Sequence, residues 1–224
     1  MYQIGIRKGY KMKKIYKRFV KRFLDITLAF LLLIVLFPIF IIISLLIKCT
    51  SNGNAIFTQY RMGYKGDSFK LYKFRTMMED APDNVATRDI SDPSLYITKV
   101  GRILRETSLD EIPQLINIIK GEMSFIGPRP VILNEKELID LRAKCGVDNV
   151  KPGISGLAQI NGRDKVGLEK KIELDKYYAD NISFWLDTKI FIKTIFYVFN
   201  TQDVVEGKID ESTNSVNDTA QISD

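Results

Sequence analysis

The chain of 224 residues contains no histidine. That absence excludes a Ser-His-Asp or Cys-His nucleophile, a histidine general base and a zinc site built on imidazole. Cysteine is nearly as scarce. Cys49 and Cys145 are too few for an all-cysteine zinc site and are not spaced as a C-x-x-C pair. No disulfide framework is indicated, which fits a reducing compartment. Any catalysis must rest on carboxylates, amines, hydroxyls or a bound cofactor. Two stretches lack charge of one or both signs. Residues 1–24 hold nine Lys and Arg and no acid, and residues 26–47 hold no charge at all.

The net charge of +6 is therefore an average over unlike parts. Residues 49–202 are nearly neutral, with 22 basic and 20 acidic residues, and residues 203–224 carry six acids against one lysine. The basicity belongs to an arm and not to a folded surface, so nucleic acid is not an expected partner. An arm next to an apolar run is attracted to anionic lipid, by about 1 kcal/mol per Lys or Arg near the surface.

The 22 uncharged residues from 26 to 47 are long enough to cross a bilayer, which takes roughly 20. The sequence after them, Lys48-Cys49-Thr50-Ser51, is not a signal-peptidase site. The basic arm keeps the N-terminus cytoplasmic. Yet residues 61–75 carry Arg61, Lys65, Lys70, Lys73 and Arg75 against Asp67 alone, and basic flanks on both sides suit a segment that enters and leaves by one face. Pro38, near the middle, removes a backbone donor and bends a helix. A helix-break-helix hairpin dipping into one leaflet and a tilted, kinked span both remain open, beside a buried core helix.

Beyond the segment, 55–61 and 68–76 read as strands around Gly63-Tyr64-Lys65-Gly66, with Phe69, Leu71, Lys73 and Arg75 on one face. Residues 79–97 read as a polar loop and 100–105 as a short helix. Residues 109–120 read as a helix with Ser108 and Glu111 as its capping box and Gly121 as its stop. Gly127-Pro128-Arg129-Pro130 reads as a rigid turn, 133–144 as a helix and 151–163 as a Gly-rich loop. Residues 183–199 are apolar with interspersed charge. They suit an interfacial amphipathic helix, or a core-packed one. The resulting organisation is a basic arm (1–24), a membrane segment (25–48), a catalytic domain (49–200) and an acidic tail (201–224) of the composition of a disordered segment.

Asp110 and Glu111 are adjacent acids in the first turn of a helix. Acids there complement the helix dipole whatever else they do. Their company is more specific: Arg105 upstream, Arg129 between two prolines, and Lys73 and Arg75 on a strand. Cations on rigid elements around paired carboxylates suit phosphate-bearing substrates and a hard cation such as Mg2+. A carboxylate can also be a nucleophile, and it is ionised near neutral pH without imidazole.

Several segments together resemble the bacterial sugar transferase family, the monotopic polyprenyl-phosphate phosphoglycosyl transferases in their small form. They are Tyr72-Lys73-Phe74-Arg75-Thr76-Met77, Arg105 with Ser108-Leu109-Asp110-Glu111-Ile112-Pro113-Gln114, Gly127-Pro128-Arg129-Pro130, and Lys151-Pro152-Gly153-Ile154-Ser155-Gly156-Leu157-Ala158-Gln159 with Gly162-Arg163. The resemblance runs from about Lys21 to Phe199. It implies an α+β, mostly helical fold: a membrane-associated domain with an N-terminal re-entrant helix-break-helix segment, a small β-hairpin and interfacial amphipathic helices. It implies transfer of a sugar-1-phosphate from a UDP-sugar to undecaprenyl phosphate, releasing UMP, through a phosphosugar on Asp110. Glu111 would hold Mg2+ with Asp110 or assist proton transfer. Arg105 and Arg129 would bind phosphate, and Lys73, Arg75, Gln159 and Arg163 match further binding positions. The expected place is the cytoplasmic face of the bacterial inner membrane. One departure is Phe37 before Pro38, where many relatives carry a small polar residue.

Two other functions stay in view. A non-catalytic membrane scaffold for polysaccharide assembly has no use for the Asp110-Glu111 pair. A transferase that moves the sugar alone would release UDP.

Overall fold

The structure is a computed structural model and describes residues 15–82, 90–162 and 166–199. The first 14 residues of the arm, residues 83–89 of the polar loop, Arg163 and the acidic tail lie outside the described residues. The fold is mainly helical, with one antiparallel hairpin and one short parallel strand pair.

The uncharged segment forms most of α1 (Lys21–Thr50), entered through a π-helical turn at Tyr16–Val20. At 1.5 Å per residue, 30 residues extend about 45 Å. The helix is apolar all round, yet one stripe is buried. Ala29, Ile43 and Ile47 lie in the protein core, and Leu32, Leu33, Leu36 and Phe40 pack against it. The opposite side exposes Phe23, Phe30, Ile34, Val35, Phe37 and Leu45. It is the one helix among the described residues long and apolar enough to cross a membrane. So large an apolar surface turned outward calls for lipid, and the chain is membrane-associated.

The helix does not stop at Pro38; any turn there is a bend within a helix and not a gap in it. Proline deprives the Ile34 carbonyl of its usual donor. Both ends of α1 are fastened to the same body. Near its start, Arg22 donates to the carbonyls of Ile118 (2.6 Å) and Ile119 (3.0 Å), and Asp25 accepts from the Phe125 amide (3.2 Å). Towards its end, Phe40 packs at a tilt against Phe74 with ring centres 4.8 Å apart, and Ser51 accepts from Arg75.

The hairpin pairs β1 (Ile56–Met62) with β2 (Ser68–Phe74), close to the expected bounds. The tight return uses Lys65 and Gly66 in left-handed conformation. An open edge of β2 would leave backbone groups unpaired. Asn117, fully buried, closes it: its Oδ1 accepts from the Tyr72 amide (3.1 Å), and its Nδ2 donates to the Lys70 carbonyl (2.7 Å).

The expected helix at 100–105 is α2 (Lys99–Glu106), capped by Thr98. The expected single helix over 109–120 is instead a 3-10 turn, Leu109–Glu111, followed by α3 (Gln114–Lys120). Pro113 is the reason, because it has no amide to continue the ladder. The capping box does not form either. Ser108 takes a left-handed conformation (φ 56°) and its side chain makes no cap bond. Gly121 does end α3, with φ 91°.

β3 (Ser124–Ile126) pairs in parallel with β4 (Gly153–Ser155), which lies inside the stretch expected to be loop. Three residues are too few to show a period. What the sequence does show is glycine: a Cβ on Gly127 would sit 2.3 Å from the Lys151 carbonyl oxygen, so the two chains meet backbone to backbone. The helix expected over 133–144 starts later, as α4 (Lys136–Lys144). Before it, Glu135 turns back to accept from the Ile132 amide.

α5 (Leu168–Asn181) matches no expectation, since its apolar positions are sparse and interrupted by charge. It packs through Tyr178 and neighbouring Ile182 against Ile126, Val150 and Ile190 in a second core. α6 (Phe184–Phe199) is a helix packed in part against the core, as one of the two readings of its stretch expects. Ile190 is buried in that core, while Trp185, Ile192 and Phe196 are exposed. Asp187 of α6 accepts from Tyr16, Lys21 and Tyr178 (2.7–2.8 Å), tying α6 to the start of α1.

Candidate active site

The turn after α2 creates the site. The left-handed Ser108 reverses the chain so that Asp110 and Glu111 fall in the following 3-10 turn, facing the hairpin. Asp110 is buried, with 7% of its surface exposed. Lys73, near the end of β2, reaches across. Its Nζ lies 2.8 Å from Glu111 Oε1 and 3.5 Å from Asp110 Oδ2. Arg129 approaches from the 127–130 turn, with Nη1 3.5 Å from Glu111 Oε1. Arg105, from the last turn of α2, donates through Nε to Thr76 Oγ1 (2.8 Å). Thr76 lies two residues past the end of β2.

The structure thus brings Lys73, Asp110, Glu111 and Arg129 into one cluster. Arg75 goes elsewhere, although sequence alternation places it on the face of Lys73. β2 ends at Phe74, and the Arg75 guanidinium turns to the end of α1. There it bonds Ser51 O (3.1 Å), Ser51 Oγ (2.9 Å) and Asn52 O. Gln159 donates to the Ile154 carbonyl of β4 (2.7 Å). Its Oε1 is buried against Gly156, without a hydrogen-bond partner among the described residues.

A family model described as bacterial sugar transferase matches residues 16–201. The chain belongs to the bacterial sugar transferase family. It is 40% identical over 189 residues to the exopolysaccharide production protein ExoY of Sinorhizobium fredii, covering 78% of this chain and 83% of that protein. It is 43% identical over 187 residues to the UDP-glucose:undecaprenyl-phosphate glucose-1-phosphate transferase of Klebsiella pneumoniae. The undecaprenyl-phosphate galactose phosphotransferase of Salmonella typhimurium is 37% identical over 195 residues. These two matches cover 80% and 79% of this chain but 40% of each longer relative.

In this sugar transferase one cation near the cluster stands apart from the expected set. Arg61, at the end of β1, donates from Nη1 to the Pro130 carbonyl (3.2 Å). Burial, and then the neighbouring Arg129, push its pKa down to about 10, while Glu135 and Glu111 pull it back up. Sequence spacing does not single it out among the five cations between 61 and 75; only the return of residues 130–132 to β1 does so. Lys73 and Arg129 both reach the acid pair, and Arg61 lies within electrostatic range of Arg129, Glu111 and Glu135.

Whether the site suits Mg2+ depends on its donor set. No group of three or more acidic, cysteine or histidine ligands exists among the described residues. Asp110 and Glu111 supply two adjacent carboxylates. That fits an ion that is held by one or two carboxylates and takes its other oxygens from water and substrate phosphates.

Proposed function

We propose that this phosphoglycosyl transferase moves a sugar-1-phosphate from a UDP-sugar to undecaprenyl phosphate and releases UMP. The relatives from Klebsiella pneumoniae and Salmonella typhimurium are named for transfers onto undecaprenyl phosphate. The observation that carries the reading is the contact of Lys73 with both Asp110 and Glu111.

Asp110 is the nucleophile. A carboxylate oxygen forms a bond to the sugar-bearing phosphorus as the bond from that phosphorus to the bridging oxygen breaks. UMP leaves with the electron pair, and the phosphosugar stays on Asp110 as an acyl phosphate. An oxygen of the lipid phosphate then attacks the same phosphorus, and the Asp110 carboxylate is the leaving group. Lys73 screens the two acids from each other and moves its charge to the transferring phosphoryl oxygens. Arg129 offers a planar fork to phosphate oxygens, and Arg105 presents a second guanidinium from α2. Lys73 holds Glu111 beside the nucleophile, where it can take part in proton transfer from the acceptor. Asp110 and Glu111 would hold Mg2+ jointly with the diphosphate; when bound, it neutralises charge developing there.

α1 re-enters the leaflet it leaves, and the body rests on the cytoplasmic face. Basic residues flank the segment on both sides, and Arg22 and Ser51 at its two ends hold the same body. The exposed aromatic side of α6 supplies a second lipid contact.

The test is nucleotide release from a panel of UDP-sugars with undecaprenyl phosphate. UMP supports the reading; UDP replaces it with transfer of the sugar alone.

A further inference from the structure

Arg129 is carried by a segment whose main chain is held residue by residue. Pro128 and Pro130 on either side have fixed φ and no amide. Four successive carbonyls accept from four different donors. Gly153 N donates to Pro128 O (2.9 Å), and Arg142 Nη1 to Arg129 O (2.8 Å). Arg61 Nη1 donates to Pro130 O (3.2 Å), and Met62 N to Val131 O (2.9 Å). Of these donors, Arg142 alone holds the carbonyl of Arg129 itself.

Arg142 projects from α4 and is buried, with 7% exposed. Its Nε and Nη2 bond Asp175 Oδ2 at 3.1 and 2.6 Å, leaving Nη1 for Arg129 O. Asp175, on α5, is 2% exposed. A buried ion pair often contributes no more to stability than apolar packing of equal volume. What the pair supplies is direction. A guanidinium fixed by two bonds to one carboxylate oxygen has its remaining edge fixed in space. A flexible amine on one nitrogen cannot hold both acceptors in that way.

We propose that Arg142, oriented by Asp175, is a positioning residue that sets Arg129 for phosphate binding. The proposal rests on the reading of Arg129 as a phosphate-binding group. It makes α4 and α5, which contribute no side chain to the cluster, responsible for where one of its cations stands.

A double-mutant cycle tests it, with UMP release measured for the full-length enzyme, Arg142→Lys, Arg129→Ala and the double variant. Arg142→Lys is expected to lower kcat/KM about tenfold, since small misplacements of a positioned group are costly. In the Arg129→Ala background the same change is expected to cost less than about twofold. Asp175→Asn, which keeps Arg142 but loosens it, is the second variant and is expected to follow the same pattern; Lys171 lies near enough to Asp175 to interact with its charge. Equal losses in both backgrounds, or losses that follow a fall in thermal midpoint alike in both, overturn the proposal. If Arg129→Ala by itself leaves kcat/KM unchanged, the reading of Arg129 falls instead, and the assignment of Arg142 falls with it.

Discussion

Lys73 Nζ stands between two neighbouring carboxylates, 2.8 Å from Glu111 and 3.5 Å from Asp110. A cation so placed lets two acids share a small space and leaves one of them available to attack phosphorus. Lys73→Met is expected to lower kcat by about 10²-fold, the size of effect seen when one preorganised charge-stabilising donor is removed. UMP release under saturating UDP-sugar measures it. An unchanged kcat would remove Lys73 from the mechanism.

Asp110→Asn keeps the size of the side chain and loses the nucleophilic oxygen charge. Turnover is expected to vanish, and a labelled phosphosugar should no longer be trapped on the protein. Robust turnover would overturn the nucleophile assignment.

Among the described residues no third acid is grouped with Asp110 and Glu111, so a metal there would depend on substrate oxygens for the rest of its ligands. EDTA is expected to abolish UMP release, and added Mg2+ to restore it. Activity that persists after chelation would dismiss the metal.

Asn117 satisfies all its polar atoms at once: the Tyr72 amide, the Lys70 carbonyl and Glu122 Oε2 at 2.6 Å. Asn117→Ala removes three part-buried hydrogen bonds, empties the fully buried Asn117 site and opens the edge of β2. It is expected to cost about 2 kcal/mol, at about 0.5–1.5 kcal/mol net for each hydrogen bond lost. Denaturation in detergent would show this, with UMP release declining as β2, which carries Lys73, loosens. A variant as stable as the parent would contradict it.

The Tyr178 hydroxyl lies between Ile126 O (2.9 Å) and Asp187 Oδ1 (2.7 Å). Burial, and next the charge of Asp187, raise its pKa well above the ordinary value of 10. Above pH 10 the unfolded chain gives up this proton while the folded chain keeps it. Stability should therefore fall as pH rises, by about 1.4 kcal/mol per pH unit for each such tyrosine. Thermal midpoints from about pH 9 to about pH 11 should show a shallower decline for Tyr178→Phe than for the parent. Parallel declines would refute the assignment.

The membrane helix, the hairpin and the acid pair are all legible from residue types and spacing, because each depends on local chemistry: an uncharged run, alternation around a Gly-rich turn, adjacent acids near arginines. What spacing misses is decided by contact. Alternation assigns Lys73 and Arg75 to one face, but the strand ends between them and Arg75 turns to the end of α1. The capping box at Ser108 and Glu111 has the right spacing, yet Pro113 and a left-handed Ser108 replace it with a tight turn. β4 is too short for any period, and α5 hides its buried Tyr178 and Asp175 among charged neighbours. Arg61 acquires its place only when residues 130–132 return to β1.

Ala29, Ile43 and Ile47 of α1 share one core with Leu71, Phe74, Leu104 and Leu115 of the body. The anchor is therefore not a detachable module. Cutting the chain after residue 50 would leave a body with its interior open, and grafting an unrelated membrane helix in its place would not close it. The catalytic domain should complete its folding only where α1 has already met lipid, which makes the bilayer a participant in its maturation.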